Sequence, residues 1–212
     1  MIPAFPVYLF DVDGTLVDSA PDICGAVRQT LKGTGAREVD EAYLCSYIGR
    51  HLYDLWDDLL PDCPPDRKDQ LLANYRTIYA GRQHGSTKLY PGVAETLARL
   101  RGRKSTATTK GTPTVRIVLE MFGLLGYFDH VQGTDGFPAK PAPDVIQRSL
   151  EALQARPEDV LMVGDATTDM AAGRAAGVRI CAVRYGYGNH QEMARYEPDF
   201  WIDSLSELAV ES

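Results

Sequence analysis

The feature that most restricts what this chain can fold into is an alternation that breaks once. Short apolar runs recur along it: Val7-Tyr8-Leu9-Phe10, the more polar Ser105-Thr106-Ala107-Thr108, Val160-Leu161-Met162-Val163, Arg179-Ile180-Cys181-Ala182-Val183 and a brief Phe200-Trp201-Ile202. Between them, Val93–Leu100, Thr114–Met121, Val145–Leu153 and Thr168–Ala176 carry apolar residues at three- and four-residue intervals, the period of an amphipathic helix. Strands alternating with helices call for crossover connections, so the expected core is a Rossmann-like, doubly wound parallel α/β sheet. From about residue 19 to residue 85 only helical patterns occur, namely Ile23–Leu31, Glu41–Ile48, Leu52–Leu60 and Asp66–Tyr79. The sheet pattern resumes after the turn signal Leu89-Tyr90-Pro91-Gly92. The chain therefore divides, as an expectation, into a core of residues 1–18 and 86–212 and an α-helical cap of residues 19–85 inserted after the first strand. The two crossings, near Ser19-Ala20-Pro21 and Lys88–Pro91, are candidate hinges.

Composition narrows the partners. With 22 Lys and Arg against 29 Asp and Glu, a net charge of −7 and no basic run, the chain is a poor nucleic-acid binder. No apolar run approaches the roughly 20 residues of a membrane span. Met1–Phe10 is apolar but lacks a basic leader, so it is expected to be a first strand and not a signal peptide. The four cysteines, Cys24, Cys45, Cys63 and Cys181, have neither zinc-site nor C-x-x-C spacing. They are expected to be reduced, mostly buried thiols of a cytoplasmic protein.

Chemistry is expected where strands end, because ligands of open parallel sheets bind at the carboxyl edge. The first strand runs into Asp11-Val12-Asp13-Gly14-Thr15, whose two carboxylates at i and i+2 project to the same side. Such a pair either awaits a cation or protons, or forms an ordinary Asx turn. A second pair, Asp165 and Asp169, follows Val160–Val163. Four acids drawn from two neighbouring strands would suit a hard divalent cation, although Asp169 alone also reads as an acid favoured by a helix dipole. Thr108-Thr109-Lys110 and Lys140, in Ala139-Lys140-Pro141-Ala142-Pro143-Asp144, lie at other sheet ends, where hydroxyl and ammonium groups would complement a phosphoryl group.

The order and spacing of these segments resemble the haloacid dehalogenase (HAD) superfamily. Asp11-Val12-Asp13-Gly14-Thr15-Leu16-Val17-Asp18-Ser19, Thr108, Lys140-Pro141-Ala142-Pro143-Asp144 and Val163-Gly164-Asp165-Ala166-Thr167-Thr168-Asp169 are similar to its four motifs in order. Tyr90-Pro91-Gly92-Val93 and Ala175-Ala176-Gly177-Val178 look like signatures of its phosphoglycolate phosphatase-like group. The resemblance implies a Mg²⁺-dependent phosphomonoester hydrolase working through an aspartyl-phosphate. Asp11 would be the nucleophile and Asp13 the general acid and base. Thr108, Thr109 and Lys140, joined by backbone N–H groups around Val12 to Gly14, would bind phosphate. Mg²⁺ would be held by Asp11, the Asp13 backbone carbonyl, Asp165 and Asp169, the last directly or at one remove. An acid at residue 13 favours ester hydrolysis over the dehalogenase and phosphonate-cleaving branches. The expected partner is a small phosphorylated metabolite such as 2-phosphoglycolate, handled by a monomer or homodimer. A β-phosphoglucomutase-like phosphosugar enzyme and a pyrophosphatase are the alternatives within the superfamily; a noncatalytic binding protein and a receiver-type signalling module lie outside it. In the cap, Arg50 and His51 stand where relatives read the substrate, but they also suit a solvated arginine and a capping histidine. Motif two departs from the usual Thr-Asn-Lys by carrying Thr109, which bears on substrate choice. Tyr185-Gly186-Tyr187-Gly188 reads as a mobile loop or an ordinary turn.

Overall fold

The computed structural model describes residues 2–209; residue 1 and residues 210–212, the two ends of the expected core, lie outside the described residues. Five parallel strands form the sheet, in the order β4-β1-β5-β6-β7. They are β1 (Val7–Phe10), β4 (Arg103–Thr106), β5 (Val160–Gly164), β6 (Arg179–Val183) and β7 (Phe200–Ile202). The central strands β1 and β5 are buried throughout, which is why they read as continuous apolar runs, whereas edge strand β7 is half-buried at Phe200 and Trp201. In β1, Val7 and Leu9 enter one core with Ile146, Met162, Met170 and Ile180, while Tyr8 and Phe10 enter the other with Val93, Leu97, Val115 and Leu119. Each such fully buried side chain contributes about 1.5–3 kcal/mol. The helices α5 (Val93–Arg99) and α6 (Thr112–Met121) supply one of these cores, and α7 (Asp144–Leu153) and α8 (Thr167–Ala176) the other.

The strand expected at Ser105–Thr108 lies two residues earlier, at Arg103–Thr106. Pairing decides its position, not β-branched composition: Val7 faces Arg103 and Phe10 faces Thr106 in the parallel register with β1. Thr108 is thereby left just past the strand.

The helix-only stretch comprises α1 (Ala20–Leu31), α2 (Glu41–Cys45), α3 (Leu52–Leu59) and α4 (Pro65–Gly81). α1 begins earlier than its apolar pattern because Pro21 is accommodated in the first turn. These helices share their own apolar cluster, with Trp56, Leu55 and Cys24 at its centre. Where the helix-only stretch leaves and rejoins the sheet, β2 (Val17–Asp18) and β3 (Lys88–Leu89) pair antiparallel, Val17 with Leu89 and Asp18 with Lys88. These two-residue strands, and the short α9 (His190–Ala194) capped by Asn189, carry no legible period. Among the described residues no helix is long and apolar enough to cross a membrane. Cys24 and Cys45 come together, Sγ to Sγ 3.7 Å, and Cys45 and Cys63 are only half-buried.

Candidate active site

β1 and β5 are hydrogen-bonded neighbours, and the Asp11 amide continues their ladder by donating to Val163 O at 2.9 Å. Asp11 and Asp165 therefore leave the sheet side by side at its carboxyl edge. Asp169 sits in the first turn of α8, where its Oδ2 accepts from the Ala166 amide at 2.9 Å. Lys140 precedes α7, which begins at Asp144 after a cis Lys140–Pro141 bond.

Carboxylate oxygens of Asp11, Asp165 and Asp169 lie within 4.8 Å of one another, and all three residues are buried. The Lys140 ammonium, fully buried, stands 3.0 Å from Asp11 Oδ1 and also hydrogen-bonds Asp169 Oδ1. One ammonium does not balance three carboxylates. Burial pushes the Asp11 carboxyl up to about 7; Lys140 pulls it down, while Asp169 and Asp13 add to the rise. Asp165 is likewise raised, by burial and then by Asp169 and Asp11, against the hydrogen bonds from Tyr187 and Thr15. Lys140 is raised because Asp11 and Asp169 outweigh its own burial. Although close to Lys140, Asp11 Oδ1 receives no well-formed hydrogen bond and is shut off from solvent.

The surroundings of Asp165 are closely fitted. Thr15 Oγ1 donates to its Oδ1 at 2.9 Å, and the Tyr187 amide donates to its Oδ2 at 2.8 Å. Gly14 turns at φ +85°, and a Cβ there would lie 2.2 Å from Asp165 Oδ2. A Cβ on Gly186 would fall 2.2 Å from Asp165 Cβ. Tyr185-Gly186-Tyr187-Gly188 is tied to the turn after β1. Tyr185 donates its hydroxyl to Thr15 O at 2.9 Å, and Tyr187 donates to Asp18 Oδ1 at 2.7 Å while accepting from the Ser19 and Ala20 amides. The Gly14 amide, expected among the phosphate-binding donors, instead closes the turn on Val17 O at 2.9 Å.

Asp13 stands apart from the three-carboxylate cluster. Its Oδ1 accepts from Ser19 Oγ at 2.5 Å, and its Oδ2 pairs with Lys110 Nζ at 3.1 Å. Its expected metal contact is through the backbone carbonyl, so the carboxylate is free for other work. Thr108 is fully buried, its Oγ1 accepting from the Lys110 amide at 3.3 Å. Thr109 and Lys110 line the cleft between the sheet edge and the helical insert, a cavity of about 870 Å³.

The two cap residues singled out in sequence border the same cleft but do not reach the carboxylates. Arg50 is half-exposed, lies over the Tyr47 ring at 5.2 Å and approaches Glu192 at 3.9 Å. His51 caps α3, its Nδ1 accepting from the Tyr53 amide. Sequence reasoning missed Ser19 as the partner of Asp13 and also missed Tyr79 and His84, which line the cleft beside Lys110. The Tyr75–Tyr79 spacing of four residues on α4 was the available sign that α4 turns an aromatic face inward; the rings stack at 5.6 Å.

The donor set fits a hard divalent cation. Oxygen ligands alone, an orphaned buried carboxylate oxygen and a deficit of positive charge are what such an ion requires. One divalent ion together with Lys140 would balance the three carboxylates.

Comparisons with known proteins accord with this geometry. The haloacid dehalogenase-like hydrolase family matches residues 8–183. The chain is 36% identical to a phosphoglycolate phosphatase of Vibrio vulnificus, over 94% of this chain and 92% of that protein. It is 32% identical to the pyrophosphatase PpaX of Anoxybacillus flavithermus, over 94% and 93% of the respective chains. A predicted phosphatase from Clostridium acetobutylicum superposes with a TM-score of 0.89 at 26% identity, covering 98% of this chain and 97% of its own.

Proposed function

The chain belongs to the haloacid dehalogenase-like hydrolases and is a phosphatase, and on that premise we propose that it hydrolyses a small phosphomonoester through a phosphoryl group carried on Asp11. The observation that supports this reading is the convergence of Asp11, Asp165, Asp169 and Lys140 at the sheet edge, with Asp11 Oδ1 left unsatisfied. 2-Phosphoglycolate is the proposed substrate, by similarity to relatives named for it. Pyrophosphate is the second reading, favoured by the relative named a pyrophosphatase.

The chain's own residues divide the work. An Asp11 carboxylate oxygen forms a bond to phosphorus as the ester P–O bond breaks, and Asp13 gives its proton to the departing alkoxide. Water then adds to phosphorus, its proton passes to Asp13, and the bond to Asp11 breaks, releasing phosphate. Ser19 and Lys110 fix the Asp13 carboxylate at the mouth of the cleft. Lys140 has three N–H donors. It donates to Asp169 and forms an ion pair with Asp11, and a remaining donor is available for a phosphoryl oxygen, with the Thr108 hydroxyl as a second proposed donor. Asp11, Asp165 and the Asp13 carbonyl would hold Mg²⁺, with Asp169 completing or orienting the set through Lys140 and the Ala166 amide. When bound, the ion supplies positive charge that offsets repulsion between the Asp11 carboxylate and a phosphate dianion, about 4 kcal/mol per unit pair at 4 Å and effective ε of 20. The helical insert, residues 19–85, acts as a lid that excludes water.

Turnover of para-nitrophenyl phosphate should require Mg²⁺ and stop on chelation. No turnover by folded protein across a broad panel of phosphate esters and pyrophosphate would overturn the reading.

A further inference from the structure

One wall of the cleft holds a polar cluster to which the chemistry above gives no substrate contact. Lys110 Nζ lies 2.8 Å from the Tyr79 hydroxyl and 4.5 Å from that ring's centroid. His84 stands edge-on to the same ring, centroid to centroid 5.2 Å. It is buried, and its Nδ1 has no hydrogen-bond partner. Lys110 donates to Tyr79 and forms an ion pair with Asp13, which leaves donor capacity for a further anion.

The rest of the cleft narrows the choice. Part of its insert side is apolar, with Ile23, Val27, Leu44 and Leu55, and the other cationic side chains there, Arg50, His51 and Arg76, are exposed. A second negative charge on a substrate therefore has one desolvated place to go. Distance favours it too. Asp13 must meet the ester oxygen, and Lys110 Nζ is 3.1 Å from Asp13 Oδ2. A carboxylate borne by the carbon attached to that oxygen comes within reach of Lys110, while a carboxylate several carbons away is carried past it.

We infer that Lys110, Tyr79 and His84 form the subsite for the carboxylate of a 2-phosphorylated hydroxy acid. This rests on the phosphatase reading and deepens it: the recognition element lies in motif two and at the end of the insert, not at Arg50. A cavity of about 870 Å³ is larger than a two-carbon acid needs.

The test compares 2-phosphoglycolate with ethyl phosphate, which has nearly the same shape without the carboxylate. Wild type should favour 2-phosphoglycolate in kcat/KM by about 100-fold, as expected of a buried site built for a charged group. Lys110→Gln should collapse that ratio to within about threefold, and His84→Phe should lower it about tenfold, whereas Arg50→Ala should leave it unchanged. If Lys110→Gln turns over neither ester, calorimetry decides: equal affinities for the two are expected, and retained discrimination overturns the inference. A ratio unmoved by both Lys110→Gln and His84→Phe, or collapsed by Arg50→Ala, also overturns it. Wild type hydrolysing both esters equally sinks the subsite but spares the phosphatase reading. No turnover of these or any other ester removes both.

Discussion

Asp11 at the sheet edge and Asp22 at the root of the helical insert are about equally buried, 2% and 1% exposed, yet their surroundings differ in kind. Asp22 is fully served. Arg82 Nε donates to its Oδ1 at 3.1 Å, and the Ser86 amide and Thr87 hydroxyl donate to its Oδ2 at 2.9 and 2.8 Å. Burial pushes its carboxyl up, but those donors win and hold it below the ordinary carboxylate range. Asp11 keeps an oxygen without a hydrogen bond, and its carboxyl is raised. A buried carboxylate whose donors come from its own fold is a fastening. One left short of donors among like charges is a place prepared for something that arrives later.

Substitutions can break or sharpen that contrast. The largest effect is expected at Asp11: Asp11→Asn should lower kcat by about 10³-fold or more, since the proposed nucleophile is removed, with little loss of stability. Single-turnover measurements at saturating Mg²⁺ would check it, and retained activity would place the nucleophile elsewhere. Lys140→Met should both slow turnover and destabilise the fold by about 3 kcal/mol, because two buried carboxylates lose their shared ammonium. Urea unfolding in chelator reads that loss, and added Mg²⁺ should recover part of it.

Asp22→Asn should cost about 2 kcal/mol by urea unfolding, with a milder effect on catalysis. Its pH dependence follows from the lowered folded pKa. Ionised Asp22 contributes stability above its unfolded value of about 3.9, and loses it as pH falls through the lower folded value. The gap between wild type and Asp22→Asn should therefore narrow on acidification below about pH 3.9; a gap that widens there would mean that ionised Asp22 is not favoured by the fold. The smallest effect belongs to Arg50→Ala. A half-exposed pair at 3.9 Å from Glu192 should be worth less than about 0.5 kcal/mol in stability. A larger loss in thermal unfolding would make Arg50 a true tie between insert and core.

The same contrast explains what was legible in the sequence. Asp11, Asp13, Asp165 and Asp169 stood out because each is a few residues beyond a strand, and apolar runs reveal where strands end. The runs at Val7–Phe10 and Arg179–Val183 coincide with β1 and β6 for the same reason. The partners of Asp22 lie 60 to 65 residues away, and Tyr187 meets Ser19 across 168 residues. Contacts of that kind arise from tertiary packing and leave no local period to read. His84, at φ +54° in the turn after α4, belongs to that class, as does the approach of Cys24 to Cys45. The β4 register was likewise settled by its neighbour β1 and not by its own residues.

The antiparallel pairing of Val17–Asp18 with Lys88–Leu89 has a consequence for how such a molecule can be altered. Because departing and returning strands stand shoulder to shoulder, the chain enters and leaves the helical stretch at one narrow place. What lies beyond that place can be shortened, exchanged for another fold or replaced by a tight turn without requiring the sheet to change its order. The entropic cost of closing the chain across it grows only logarithmically with the length of whatever is threaded there. Any such exchange would have to keep Ser19 on Asp13 and a partner for Lys110, because those two contacts cross from the helical stretch to the sheet edge.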